Sequence, residues 1–268
     1  MLDRPIITLT TDFGLKDPFV GLMKGVILGI NPKAMITDIS HHIERHNVFE
    51  ASQALSMSYN FFPPTSIHLA VVDPGVGGKR RPILVATDSH YFIGPDNGIF
   101  TPVFDKSQDQ FLKVFHITAS HYFLPMSGST FHGRDIFAPV AAWLSKGVDS
   151  YKFGEEIKDY VTISSPKTDI SEEAISGEIV SIDNFGNAIT NITREEMSIL
   201  TSMDSSDKFR IYYNENKMPL ANFYSENESS KASAIINSFG HLEIFVYMKS
   251  ASQELNIRIG DKVSVKLA

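Results

Sequence analysis

The fold of the first half of the chain is decided by residues 6–14, which read Ile-Ile-Thr-Leu-Thr-Thr-Asp-Phe-Gly. The continuous and largely β-branched run Ile6–Thr11 predicts a buried strand, and the three residues after it end the strand. Asp17 and Pro18 follow as the predicted N-cap and first residue of a helix that reaches Ile30. A strand that leads through a short polar loop into a helix is typical of an α/β domain.

The alternation of strand and helix continues beyond this stretch. Residues 35–39 and 67–72 are short apolar runs that predict two more strands, and residues 47–60 predict a helix between them. Because strands separated by helices are joined by crossovers, we expect a mainly parallel sheet. Asp12 and Asp73 directly follow the first and third strands, so they should meet at the carboxyl edge of the sheet, where ligands of such sheets bind.

The second half of the chain has a different character. Residues 158–173 are polar and predict a linker, and the residues after them form short strand-like runs separated by turn residues. That pattern is typical of a small antiparallel sandwich or barrel. We therefore expect an α/β protein with an N-terminal, mainly parallel α/β sandwich domain at residues 1–157 and a smaller β-barrel-like domain at residues 174–268.

Composition and charge exclude several classes of protein. The 268 residues are 43% hydrophobic and carry a formal net charge of −7, without a basic cluster large enough for a general nucleic-acid binder. No apolar run approaches the roughly 18–20 residues that a membrane span requires. The absence of cysteine excludes disulfides and thiolate zinc sites, and it favours a cytoplasmic location. We expect a small-molecule ligand, and neither nucleic acid nor membrane as a partner.

The most distinctive segment is residues 73–80, which read Asp-Pro-Gly-Val-Gly-Gly-Lys-Arg. Its glycines allow the backbone to approach a ligand closely, and its acid and base project from one short loop. A phosphate-binding P-loop is excluded, because Asp73 stands where glycine is required and Arg80 where serine or threonine is required. The alternative to a functional loop is an ordinary turn closed by a salt bridge.

A second candidate lies at residues 131–135, which read Phe-His-Gly-Arg-Asp and open a helix predicted over residues 134–145. A helix N-terminus lowers the pKa of a nearby histidine, so His132 would be neutral and able to act as a base. The alternative is that Asp135 caps the helix and His132 only packs nearby. Residues 183–187 likewise are either functional or an ordinary turn between two strands.

A metal site is a further possibility that the sequence disfavours. His41, His42 and His46 lie near Asp38, with Asp12 and Asp73 as further oxygen ligands. The spacing of the histidines does not match the helical pair of a metalloprotease, so a histidine-rich surface loop is favoured. We expect no metal.

Six segments of the chain together resemble the S-adenosylmethionine hydroxide adenosyltransferase family, which is related to the fluorinase and chlorinase. These segments occur in the family's order at residues 10–14, 21–26, 71–77, 131–135, 183–187 and 237–240. The family's layout, an α/β domain followed by a β-barrel-like domain, agrees with the layout predicted above. The resemblance implies S-adenosyl-L-methionine as the substrate, adenosine and L-methionine as the products, and no cofactor.

The resemblance assigns the activation of water to Asp73, Arg80 and His132. The implied reaction is displacement at the ribose C5′ by water, and methionine leaves as a neutral thioether that needs no proton. Water is a poor nucleophile, so it must be held in line and helped to lose a proton. Either Asp73 or His132 can accept that proton, and Arg80 can stabilise developing hydroxide.

The resemblance also assigns residues to substrate binding. Asp12 would bind the ribose hydroxyls and Asp183 the methionine amino group. Phe185 and Asn187 would line the adenine pocket. Ser238 and Phe239 would hold the methionine portion. In the family the site lies between subunits of a trimer, so we expect a homotrimer. The sequence departs from the family pattern after Glu243, where Val246-Tyr247 replaces the usual Val-Asn.

Three rival functions remain at this point. One is halogenation at the same carbon, which Asp73 disfavours because a carboxylate repels a halide ion. The second is a non-catalytic protein that binds adenosine or S-adenosyl-L-methionine, and the third is a metal-dependent hydrolase built on aspartate and histidine. Turnover distinguishes the second from a hydrolase, and metal content distinguishes the third.

Overall fold

The computed structural model of the chain describes residues 4–107, 111–125, 127–200, 209–214, 216–228 and 231–267. The chain divides into two units, Met1–Ser164 and Ser165–Ala268. Each unit has buried apolar clusters of its own, so each can be described by itself.

The first unit is built on a seven-stranded sheet with the strand order β2-β1-β3-β5-β4-β6-β7. Its strands are β1 (Ile6–Thr11), β2 (Met35–Ser40), β3 (Ile67–Val71), β4 (Pro82–Thr87), β5 (Tyr91–Pro95), β6 (Leu112–Ile117) and β7 (Gly154–Ile157).

Parallel pairing is confined to one half of this sheet. β2, β1, β3 and β5 are parallel neighbours, whereas β5, β4, β6 and β7 pair antiparallel. The difference from a mainly parallel sheet has a local cause, because only residues 88–90 separate β4 from β5 and so short a segment cannot hold a crossover helix. The α/β fold class is confirmed, and the strands that carry Asp12 and Asp73 lie in the parallel half.

Helices cover both faces of the sheet and bury its strands. The helices are α1 (Phe19–Ile30), α2 (Val48–Ser58), α3 (Thr101–Lys106) and α4 (Ala138–Ser145), and one π-helical turn, Gly133–Phe137, leads into α4. One apolar cluster includes residues of α1 and α4, and another includes residues of α2 and α3. Because the sheet is covered on both faces, β1 and β3 are buried almost throughout, without the alternation of buried and exposed residues seen in a sheet with one face in water.

Helix α1 follows from the spacing of its apolar residues. Val20, Met23 and Ile27 lie on one face at helical spacing and are buried in the core. The predicted N-cap was wrong, because the helix begins at Phe19 with Pro18 in the cap position and no side chain caps it. No helix within the described ranges is long and apolar enough to cross a membrane.

The second unit is a nine-stranded sheet with the order β12-β11-β16-β9-β10-β15-β14-β13, and β8 pairs with β9. Its strands are β8 (Asp169–Ile170), β9 (Ala174–Ile182), β10 (Ala188–Thr193), β11 (Phe209–Tyr213), β12 (Asn216–Met218), β13 (Leu220–Ala221), β14 (Ala232–Ile236), β15 (His241–Val246) and β16 (Lys262–Leu267). Two short helices, α5 (Arg194–Leu200) and α6 (Ala251–Glu254), complete the unit.

This second sheet must curl nearly into a barrel. The strands at its two edges, β12 and β13, are separated along the chain by Pro219 alone, so the edges have to lie close together. Buried and partly exposed residues alternate along β10 and β11, as expected for a barrel with one face inward. The predicted β-barrel-like second domain is therefore confirmed.

Candidate active site

The site begins with the loop that follows β3. Asp73 and Arg80 lie seven positions apart, and the guanidinium forks onto the carboxylate: Nε donates to Oδ1 and Oδ2 at 2.9 Å each, and Nη2 donates to Oδ2. Their side chains are only 5% and 9% exposed, so the pair is largely shielded from water. A forked, charge-assisted contact of this kind fixes both side chains, each bond stabilising by about 1.5–3 kcal/mol.

Two glycines allow the loop to fold this tightly. A Cβ on Gly77 would lie 2.6 Å from the main-chain oxygen of Ser129, and Gly77 has a φ of +75° that other residues rarely adopt. A Cβ on Gly75 would lie 3.1 Å from Cγ of Arg80. The loop therefore needs glycine both to turn and to let Arg80 fold back onto Asp73.

His132 joins this pair from the start of the helical segment before α4. Arg80 Nη2 donates to Nδ1 of His132 at 2.7 Å. A guanidinium has no acceptor, so Nδ1 must carry the lone pair, and the proton of the neutral imidazole is on Nε2. Burial and, after it, the positive charge of Arg80 lower the pKa of His132. Nε2–H is thus the ring group left free to act as a donor.

The alternative role for the 131–135 segment is not supported. His132 occupies the N-cap position, but no side chain caps the helix. The Asp135 carboxylate instead accepts hydrogen bonds from its neighbour Arg134 at 2.6 and 2.9 Å. His132 is therefore not merely packed beside a capping residue, since it contacts the Asp73–Arg80 pair.

Asp12 stands at the end of β1, as the sequence predicted. Its Oδ2 accepts a hydrogen bond of 2.9 Å from the main-chain N–H of His46. His46 has a φ of +67°, an uncommon conformation for a residue other than glycine, and this conformation presents its N–H to Asp12. The carboxylate is thereby held in place while other oxygen lone pairs remain available.

Asp12, Asp73 and His132 line one cavity of about 330 Å³ in the first unit. The predicted meeting of Asp12 and Asp73 at one edge of the sheet is therefore confirmed, and Arg80 supports the two catalytic candidates without lining the cavity. The lining residues that sequence reasoning missed as site residues are Phe13, Asp17, Phe19, Arg45, His46, Val71, Val76, Thr130, Phe131 and Gly133.

Three phenylalanines among the missed residues form one wall of the cavity. Phe13, Phe19 and Phe131 meet edge to face, with ring centroids 5.3, 5.7 and 6.0 Å apart. Phe13 and Phe131 are neighbours in sequence of Asp12 and His132, and this adjacency was a signal that could have identified them. Aromatic faces and the carboxylates of the cavity both favour a ligand that carries positive charge.

The histidines of the metal hypothesis do not converge. His41 contacts Thr11 at 2.8 Å through Nδ1 and Asp38 at 3.0 Å through Nε2, whereas His46 reaches Asp12 with its main chain. His42 is exposed. Within the ranges that the structure describes, no three histidine or carboxylate side chains are grouped so that they could hold a metal ion.

Three predicted site residues of the second unit share the turn between β9 and β10. Asp183 organises this turn: its Oδ1 accepts from the main-chain N–H of Phe185 at 2.9 Å and of Asn187 at 2.8 Å. Its Oδ2 accepts from the Asn187 side chain at 3.2 Å. The Phe185 ring is 76% exposed, whereas Asn187 is buried, so the turn offers an aromatic face and a carboxylate to a ligand.

The other two predicted residues, Ser238 and Phe239, are exposed in the turn between β14 and β15. Asn237 shapes this turn, because its Oδ1 accepts from the main-chain N–H groups of Phe239 and His241. Since Ala188 pairs with Ile244 and Thr193 pairs with His241, the two turns lie at opposite ends of the β10–β15 pair. The structure thus brings together the predicted residues of the first unit, whereas those of the second unit lie in two separate turns.

In a comparison with known proteins, both halves of the chain match domains of one family. Residues 7–154 match the N-terminal domain of the SAM hydroxide adenosyltransferase family, and residues 177–264 match its C-terminal domain. The chain is 37% identical to an (R)-S-adenosyl-L-methionine hydrolase of Methanocaldococcus jannaschii, over 97% of this chain and 95% of that protein. A Thermus thermophilus protein of the same name is 31% identical, over 96% and 97% of the two chains. A fluorinase of Nocardia brasiliensis is 24% identical over 98% and 97%.

The fold also resembles solved structures. A conserved protein of Thermotoga maritima superposes with a TM-score of 0.89 at 36% identity, covering 97% of this chain and 99% of that one. A second structure, a conserved protein of Thermus thermophilus, gives a TM-score of 0.74 at 28% identity, covering 99% and 100%.

Proposed function

The chain belongs to the SAM hydroxide adenosyltransferase family, and we propose that it hydrolyses S-adenosyl-L-methionine to adenosine and L-methionine. The observation that carries the proposal is the contact of one guanidinium, that of Arg80, with both Asp73 and His132 at the edge of the cavity. This arrangement places an acceptor and a donor beside one space, as the positioning and deprotonation of a water molecule requires.

In this mechanism Asp73 accepts the proton of the attacking water. His132 is a poor candidate for the base, because its Nδ1 lone pair is used by Arg80 and its lowered pKa makes it a weaker base. Its Nε2–H instead donates to the water oxygen and orients a lone pair toward C5′. Arg80 fixes both partners and stabilises the hydroxide character that develops as the proton moves.

The charges of the site suit a cationic substrate. The sulfonium loses its positive charge as the C5′–S bond breaks, so the leaving thioether needs no general acid. Arg80 would repel the sulfonium if it stood alone, but its forked contact with Asp73 offsets that charge. Asp73 can accept a proton, which water carries and a halide ion does not, and this favours water as the nucleophile over halogenation.

We propose that residues of both units bind the substrate, each contacting a different part of it. We assign the ribose hydroxyls to Asp12, whose orientation is fixed by the N–H of His46. We assign the amino group to Asp183, the adenine to Phe185 and Asn187, and the methionine portion to Ser238 and Phe239.

The proposal includes a homotrimer in which the first unit of one subunit and the second unit of the next complete each site. The resemblance to the family supports this assembly. Two variants, Asp73→Asn and Asp183→Ala, should each be inactive alone, and subunits mixed by unfolding and refolding together should regain activity. A fully active monomer by light scattering, or no recovery on mixing, would contradict shared sites.

Activity itself is tested by incubation with S-adenosyl-L-methionine and chromatography of the products. We expect adenosine and methionine in equal amounts, also after exhaustive chelation, since we propose that neither a metal nor a cofactor takes part. Loss of activity on chelation with rescue by zinc or magnesium would overturn that part of the proposal. A cytoplasmic location, without nucleic-acid or membrane partners, is also part of the proposal.

A further inference from the structure

The second unit contains a buried carboxylate that the mechanism does not use. Glu243, in β15, is 3% exposed. Oε1 accepts a hydrogen bond of 2.8 Å from the hydroxyl of Tyr224, and Oε2 accepts one of 3.1 Å from Nδ2 of Asn237. Burying a carboxylate is costly unless its oxygens are satisfied, so these two donors are needed where they stand.

The contact with Glu243 determines which way the amide of Asn237 points. An ionised carboxylate only accepts hydrogen bonds, so it selects the orientation in which the NH₂ group of Asn237 faces Glu243. The carbonyl oxygen then faces the turn, where it accepts from the N–H of Phe239 at 3.0 Å and of His241 at 3.1 Å. With the amide reversed, a donor would face two main-chain donors and the turn would lose both bonds.

Tyr224 is the second hydrogen-bond donor to the Glu243 carboxylate. Its ring packs edge to face on Phe245, with centroids 5.0 Å apart. Burial, followed by the hydrogen bond to Glu243, raises the pKa of Tyr224 well above its usual value, so the hydroxyl remains a donor at any physiological pH. The negative charge of Asp183 adds to that rise.

We propose that Glu243 is a positioning residue for the methionine end of the site, because it orients Asn237 and thereby sets the turn that presents Ser238 and Phe239. The inference rests on the proposed function, since it takes this turn to hold the methionine portion of the substrate. Glu243 itself does not touch the substrate in this account. Its effect is on the shape of the turn.

The test exchanges the donor and the acceptor of the Asn237–Glu243 pair. Asn237→Asp places two carboxylates face to face, so we expect it to weaken methionine binding about tenfold, the equivalent of one lost hydrogen bond. Adenosine affinity should stay within about twofold, as the turn does not hold the nucleoside. Adding Glu243→Gln should restore methionine affinity, because the new amide donates to one oxygen of the carboxylate at position 237 while the other oxygen still accepts from the turn.

A matched control is the pair Tyr213–Asp261, in which another tyrosine hydroxyl donates to a carboxylate, at 2.7 Å. Burial raises the pKa of Tyr213 to about 12, so its hydroxyl is also a fixed donor. Asp261 accepts from the main-chain N–H of Arg258 as well, in a turn before β16. Asp261→Asn should therefore lower the melting temperature and leave the affinity for methionine unchanged.

Calorimetric titration of the full-length protein with methionine and with adenosine decides the question. Selective loss of methionine affinity in Asn237→Asp, and its return in the double variant, supports the inference. An unchanged methionine affinity, an equal loss for both products, or no rescue in folded protein overturns it. If Asn237→Asp does not fold, Asn237→Ala replaces it with the same selective loss expected. Wild-type protein that binds both products without turnover would count against the proposed hydrolysis and leave this test intact.

Discussion

Arg80 donates to Nδ1 of His132 over 2.7 Å while its forked side holds both oxygens of Asp73. One planar cation therefore connects an acid at the end of a strand to an imidazole at the start of a helical segment. Only a guanidinium has donors arranged to do both at once. The protonation state of the imidazole, and hence the division of labour in the mechanism, follows from this contact.

Replacing Arg80 by lysine should lower kcat about 100-fold. A lysine keeps the positive charge but cannot fork onto Asp73 and reach His132 at the same time. Arg81→Lys is the matched control, because Arg81 also forks onto an aspartate, Asp96, away from the cavity. That control should cost stability and leave kcat nearly unchanged. Equal kcat values for the two variants would show that the Arg80 contact is structural only.

Replacing His132 by alanine should lower kcat by about 10²–10³-fold and change the affinity for the substrate only a few-fold. The reason is that Nε2–H acts on the water and not on the ground-state substrate. Single-turnover rates beside calorimetric affinities separate the two effects. Wild-type kcat in a folded His132→Ala protein would remove His132 from the mechanism.

Replacing Asp12 by asparagine should weaken adenosine binding about 10- to 100-fold, because a charge-assisted hydrogen bond to the ribose becomes a neutral one. The remaining carbonyl oxygen can still accept from His46, so the loop should keep its shape. Asp17→Asn, in the same cavity, is the control and should change the affinity little. With 2′,3′-dideoxyadenosine the Asp12→Asn variant and the wild type should bind alike. A persistent difference with that ligand would show that Asp12 does not bind the hydroxyls.

The sequence could predict which residues lie at strand ends, but not which distant residues contact each other. The positions of Asp12 and Asp73 could be predicted, because local hydrophobic patterning places strand ends and parallel strands share an edge. The contact between Arg80 and His132 joins residues 52 positions apart and depends on how the helical segment packs on the sheet. Local patterning carries no information of that kind, and here only the resemblance to a family assigned the two residues to one site.

Two further misses have the same origin. Phe19 opens α1 and was not predicted as a site residue, yet its ring lies in the aromatic wall of the cavity, where it meets Phe13 and Phe131 from distant parts of the chain. His46 was considered as a metal ligand for its side chain, whereas the structure uses its main-chain N–H. A left-handed backbone at a histidine has no signature in the sequence.

Stability should fall as the pH decreases below about 6.5, because two buried histidines face each other in the first unit. His68 Nε2 lies 3.4 Å from Nδ1 of His90, and burial lowers the pKa of His68 to about 3. The unfolded chain therefore takes up a proton first, and each such histidine costs about 1.4 kcal/mol of unfolding free energy per pH unit between about 6.5 and its folded pKa.

Denaturant unfolding of the wild type and of His68→Phe between pH 7.5 and 4.5 checks this expectation. The variant should lose stability at pH 7.5, since it leaves the Thr8 hydroxyl without its 2.9 Å contact to His68. Its stability should nevertheless fall less steeply with decreasing pH. Parallel curves for the two proteins would show that His68 does not titrate between the folded and unfolded states.

The central claim, that activated water attacks C5′ of S-adenosyl-L-methionine, is tested most directly by turnover in ¹⁸O-labelled water. Mass spectrometry of the nucleoside should find adenosine with one labelled oxygen, located at C5′, and methionine without label. Adenosine without label, adenine in place of adenosine, or no turnover by a folded sample would contradict the account.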